Sequence, residues 1–172
     1  MINITSPRVI HFTSWFLTLG CIPILSIYGR PLQKWAFAQI GVQQVALLFG
    51  ITLFLLSIAI ISNLVKTGGK KQLWTLLWLA AVFIAIQWQI PVVEERMHVI
   101  LFGLFGFLSL RIFSLKTGLL ICALVAVSDE MLQYYLPDRV GDMHDVYLNL
   151  ISTLLGAVLA IYLHKINKDH LK

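Results

Sequence analysis

Seven of the eight acidic side chains in this chain fall in three short stretches, and each stretch also carries groups able to move protons or hold anions. The first is Glu94-Glu95-Arg96-Met97-His98. If helical, spacings of three and four put Glu95 and Glu94 on the face of His98. A carboxylate there can orient the imidazole and stabilise its protonated form, the arrangement of a general base or nucleophile. Glutamates in a first helical turn also favour the positive end of the helix dipole, a purely structural role. The second stretch is Asp129-Glu130-Met131-Leu132-Gln133. Asp129 and Gln133 share a face one turn apart, and Asp129 stands eight residues before Pro137, roughly 12 Å along a straight helix. Paired carboxyls at that depth are costly in an apolar surrounding unless partnered, and they read either as functional groups or as a polar clamp between helices. The third runs Pro137-Asp138-Arg139-Val140-Gly141-Asp142-Met143-His144-Asp145 and leads to Asn149. Arg139 has the planar fork that grips phosphate or carboxylate. Asp142 reads equally as a substrate-site residue and as a helix N-cap, and Asp145 less so as a cap because it shares a face with Asn149.

Apolar segments must position these stretches. The 172 residues are 59% hydrophobic and 12% charged, with a mean hydropathy of +0.85. Soluble domains carry about twice that share of charge. A bilayer core about 30 Å thick needs roughly 20 apolar residues per helix. Six segments meet or approach that length: Val9 to Tyr28, Val45 to Val65, Leu73 to Ile90, Glu95 to Leu115, Thr117 to Leu136 and Asp145 to Leu163. Turn chemistry at Gly29-Arg30-Pro31, Gly68-Gly69, Pro91, and Pro137 with Gly141 separates most of them, and Arg111 with Lys116 marks the thin break between the fourth and fifth. The alternation of a transmembrane strand is absent. The expected fold is an all-α integral membrane protein with six transmembrane helices.

Charge sets the expected orientation. Arg8, Lys66, Lys70, Lys71, Arg111, Lys116, Lys165, Lys168 and Lys172 fall on one side, and Arg30, Lys34, Arg96 and Arg139 on the other. The positive-inside rule then places both termini in the cytoplasm and the acidic stretches at the outer face of a multi-pass cell-membrane protein. The net charge of +5 is dispersed in short groups between apolar runs, which speaks against nucleic-acid binding. Cys21 and Cys122 lie inside apolar runs and read as small hydrophobes, with neither a disulfide framework nor a zinc site. The first segment lacks a small-residue cleavage site and reads as a retained helix. No feature sets the oligomeric state.

The pattern Asp129-Glu130-x-x-Gln133, then Pro137-x-Arg139-x-Gly141-x-x-x-Asp145-Val146-x-x-Asn149, resembles the signature of the VanZ-like membrane protein family. Glu95-Arg96-Met97-His98 is similar to that family's charged-residue-then-histidine segment one helix earlier. The likeness covers about Leu73 to Leu163. It implies a four-helix core over residues 73–172 with a short cytoplasmic tail, and it leaves unexplained the first two segments, which read as a two-helix hairpin over residues 1–72. Three positions depart: Phe102 stands where a tyrosine is common, Ser152 where a glycine is usual, and Met131-Leu132 where an isoleucine-histidine pair is common. The resemblance implies a link to cell-envelope modification and low-level resistance to the glycopeptide teicoplanin. It also implies a likeness to membrane enzymes that exchange phosphate-linked headgroups on lipids.

On this reading the partners are membrane lipids or a lipid-linked carrier, and the first expectation is an enzyme, a transferase or hydrolase, acting on a phosphate-linked lipid or polyprenyl headgroup. His98 would be base or nucleophile, with Glu94 or Glu95 orienting it. Asp129 and Glu130 would complete the catalytic set, while Arg139, Gln133, Asp142, Asp145 and Asn149 would hold substrate. The cofactor is open, and a divalent cation is one group these carboxylates could bind. A second expectation is a non-enzymatic membrane protein that alters envelope access or assembly, its carboxylates structural. A third is a small proton-coupled transporter using Asp129 and Glu130. No inverted repeat and no pair of Gly/Pro-broken helices supports that third reading.

Overall fold

The computed structural model describes residues 7–48, 50–51, 77, 81, 84, 93–137, 139 and 141–169. All secondary structure among the described residues is helical: α1 (Pro7–Ile40), α2 (Val93–Ile112), α3 (Leu115–Tyr134) and α4 (Met143–Asp169), with further helical backbone at residues 42–48. Among them, Arg8–Ile40 and Met143–His164 are long and apolar enough to cross a membrane. Most of the expected second and third segments lie outside the described residues. The chain divides into two compact units, Met1–Arg30 with Glu94–Lys172, and Pro31–Val93.

Helix α1 does not stop at Gly29-Arg30-Pro31, where turn chemistry predicts a break. It runs on to Ile40. Proline forfeits one backbone hydrogen bond, but a helix still satisfies the remaining N–H and C=O groups of an apolar segment better than a loop does. Gly41 makes the stop. Its φ of +95° is a left-handed conformation that glycine adopts without strain, and its N–H bonds to the Phe37 carbonyl at 3.0 Å.

The first unit positions the acidic stretches. Trp15, Thr18, Ile22 and Ser26 follow one another at helical spacing and form the buried face of α1. Trp15 stacks on Phe105 at 5.4 Å and donates its indole N–H to Ser109 at 2.8 Å. Cys122 lies in the same core, its sulfur 3.4 Å from the Ser109 hydroxyl, so this cysteine packs as a small hydrophobe. The break between α2 and α3 falls between Arg111 and Lys116, where the sequence marks it, and Ser114 forms the cap. Its extended backbone and side-chain oxygen cap α3 at the Thr117 N–H.

Glycines bring α2 and α4 together. A Cβ added at Gly156 would overlap the Gly103 carbonyl and reach the Phe107 N–H, and one at Gly106 would strike the Thr153 backbone. Such close approach is how membrane helices associate, because packing rather than water exclusion drives it. Ser152, standing where glycine is usual, does not hold the helices apart. It is buried and turns its hydroxyl back to the Leu148 carbonyl at 2.7 Å, while Gly103 supplies the clearance from the facing helix.

Candidate functional site

His98 lies on the face of α2 that also carries Phe102 and Phe105, and it is 7% exposed. Phe102 stacks beside its ring and is fully buried, so this position serves packing. Across the helix interface, His98 Nδ1 is 3.3 Å from Asp129 Oδ2. The same Asp129 oxygen accepts from Gln133 Nε2 at 3.1 Å, and its other oxygen accepts a short hydrogen bond from the Ser26 hydroxyl. A buried carboxylate is thus tied to three helix faces at once. It needs those partners, since an unpaired charge at such a position costs several kcal/mol.

Glu130 shares Gln133 with Asp129 and adds partners of its own. Its Oε1 accepts from Gln133 Nε2 at 3.3 Å and Asn149 Nδ2 at 3.4 Å, and its Oε2 from the Asp142 backbone N–H at 3.3 Å. Gln133 therefore spans both carboxylates with one amide nitrogen. The loop can reach Glu130 because residue 141 is glycine: a Cβ there would lie 2.7 Å from the Glu130 carbonyl oxygen. Arg139 follows the C-terminal end of α3 and turns its guanidinium to the Leu25 carbonyl of α1 at 3.3 Å.

The sequence-derived residues separate into groups. His98, Glu130, Gln133, Arg139, Asp145 and Asn149 line one cavity of about 20 Å³, room for about a single water molecule. Asp129 stands behind His98 and Gln133. Asp142 caps α4, accepting the His144 N–H at 3.0 Å on its side chain. The side chains of Glu94 and Glu95, and Asp138, lie outside the described residues. His98 receives a carboxylate from α3, Asp129, whatever Glu94 and Glu95 do. Ser26 and the Leu25 carbonyl were not singled out from the sequence, although Trp15, Thr18, Ile22 and Ser26 carry the spacing of a buried face. Among the described residues, no three His, Cys, Asp or Glu side chains are grouped as metal ligands.

This geometry has a definite chemical capacity. A carboxylate against Nδ1 favours the tautomer with the proton on that nitrogen and leaves Nε2 as acceptor, the usual means of preparing a histidine base. Arg139 adds a permanent positive charge on the same cavity, suited to phosphate. Asn149 and Gln133 contribute neutral amides that fix the neighbouring carboxylate.

A protein-family model described as VanZ/LLP1 matches residues 15–164. The match begins at Trp15 and so takes in the α1 residues that meet the site, well before Leu73. No curated protein and no solved structure matches the chain.

Proposed function

The chain belongs to the VanZ/LLP1 family, and from that membership and the site geometry we propose a six-helix membrane enzyme acting on phosphate-linked lipid or polyprenyl headgroups at the outer leaflet. In this reading both termini are cytoplasmic, and the activity serves cell-envelope modification of the kind associated with teicoplanin resistance. The observation that carries it is the buried His98–Asp129 pair on the edge of a cavity that also holds Arg139. His98 Nε2 takes the proton of an attacking hydroxyl, whose oxygen forms a bond to phosphorus. The bond from phosphorus to the leaving oxygen breaks, and that oxygen receives the proton from His98. Arg139 offsets the charge that gathers on the phosphoryl oxygens. Since the cavity holds about one water, a phosphate enters only when its lining side chains move apart.

The test uses purified full chain in vesicles of anionic lipid, with phospholipid and polyprenyl-phosphate carriers offered and products followed by mass. The expected result is a headgroup change in wild type that His98→Ala abolishes. Identical product profiles from the two proteins on both carriers would remove this chemistry. One observation favours a second reading, a non-enzymatic membrane protein: Glu130 already accepts three hydrogen bonds, as a structural clamp between helices would. Under that reading Glu130→Gln destabilises the fold, and no variant changes any product.

A further inference from the structure

We propose that a groove between α1 and α3 holds the hydrocarbon chain of the lipid whose phosphate meets Arg139; this rests on the reading that the substrate is a phosphate-linked lipid. The groove encloses about 520 Å³ and is lined by Phe16, Gly20 and Pro23 on α1 and by Val125, Asp129 and Leu132 on α3. Its lining spans eight residues of each helix, roughly 10 Å of length. It is open because residue 20 has no side chain: a Cβ at Gly20 would meet nothing within 4 Å. The surfaces beside it, including Leu17, Ile24, Leu124 and Met131, are exposed and apolar, so the occupant must be apolar along its length.

Two observations give the groove a direction. Asp129 forms part of its wall and is also the carboxylate bonded to His98 and Ser26, so groove and site share a residue. Along α1, the Leu25 carbonyl accepts from Arg139, and a Cβ at Gly29 would lie 3.4 Å from the same guanidinium. Gly29 stands six residues past Pro23, about 9 Å of helix rise. A chain lying against Phe16 to Pro23 therefore brings its polar end to Arg139, and the positive charge there selects an anionic one. Diacyl phospholipids and polyprenyl phosphates share this chemistry.

The experiment places the full chain in nanodiscs of neutral lipid doped either with phosphatidylglycerol bearing a diazirine midway along an acyl chain or with a photoactivatable polyprenyl phosphate. Adducts are mapped by peptide mass. They are expected on residues 16–23 and 125–132, with the more productive probe identifying the carrier class. Gly20→Phe fills the groove and is expected to cut these adducts severalfold, while Leu17→Phe, on the neighbouring lipid-facing surface, leaves them unchanged. Gly20→Leu provides a smaller plug with good helix propensity if the phenylalanine variant is not monodisperse. Adducts spread evenly over every apolar helix, or unchanged in both Gly20 variants, would overturn the proposal. So would crosslinks joining two copies of the chain through the groove. Headgroup turnover that persists in Gly20→Phe sinks the groove and leaves the enzyme reading intact. Absent turnover in wild type, with adducts still lost in Gly20→Phe, sinks the enzyme reading and leaves a lipid site.

Discussion

Asp129 is the hub of the site, because His98, Ser26 and Gln133 all converge on its two oxygens. Each partner contributes modestly, since interhelical hydrogen bonds in membranes average well under 2 kcal/mol. Their removal is graded accordingly. Ser26→Ala is expected to lower unfolding stability by about 1 kcal/mol, measured by denaturation in mixed micelles. Asp129→Ala strands a buried histidine and an amide, and its expected loss is about 3 kcal/mol. Asp142 behaves differently. Its side chain caps α4 and faces solvent, so Asp142→Ala is expected to cost about 1 kcal/mol in stability, whereas Asp142→Asn keeps the cap. Full loss of turnover with unchanged stability in Asp142→Ala would instead make it part of the chemistry. Most of these residues were legible in the sequence, because intramembrane ionisable groups are rare enough to stand out. Ser26 was not, since one serine in an apolar helix has no charge to announce it.

Helices show where the sequence signal is weaker. The spans around His98, Asp129 and Asn149 fall close to the observed α2, α3 and α4, because long apolar runs identify a helix well. Their ends depend on details that a run cannot supply. Pro31 sits inside α1, and Gly41 ends it. Arg111 and Lys116 bracket the α2–α3 break, and Ser114 caps α3 within it. The α2–α4 contact was equally hidden, since a glycine in sequence does not reveal which backbone it faces. That contact makes a sharp prediction: Gly156→Leu is expected to yield aggregated or unfolded protein on size exclusion, because its side chain would occupy the Gly103 carbonyl. Gly103→Ala, with 3.5 Å to the Ser152 carbonyl, is expected to remain monodisperse. A well-folded Gly156→Leu protein would show that α2 and α4 do not meet there.

For the whole molecule, orientation in the bilayer decides whether the cavity can reach an outer-leaflet headgroup. Single cysteines replacing Lys70 and Lys165 are expected to label only from the cytoplasm, and one replacing Asp138 only from outside. Labelling of the Asp138 position from the cytoplasm would move the site to the other leaflet. The family match from Trp15 onward ties α1 to the same functional unit, and its buried face supplies Ser26 and the Leu25 carbonyl. The decisive measurement is one turnover series in proteoliposomes, comparing wild type with Ser26→Ala, Asp129→Asn, Arg139→Lys and His98→Ala at full carrier saturation and below it. A His98 base oriented by Asp129 requires a graded fall in kcat from Ser26→Ala through Asp129→Asn to His98→Ala, the last by roughly 10²–10⁴-fold, as expected for loss of a general base. Arg139→Lys is expected to raise KM, since an ammonium lacks the guanidinium fork. Equal kcat in wild type, Asp129→Asn and His98→Ala would contradict a catalytic His98–Asp129 pair.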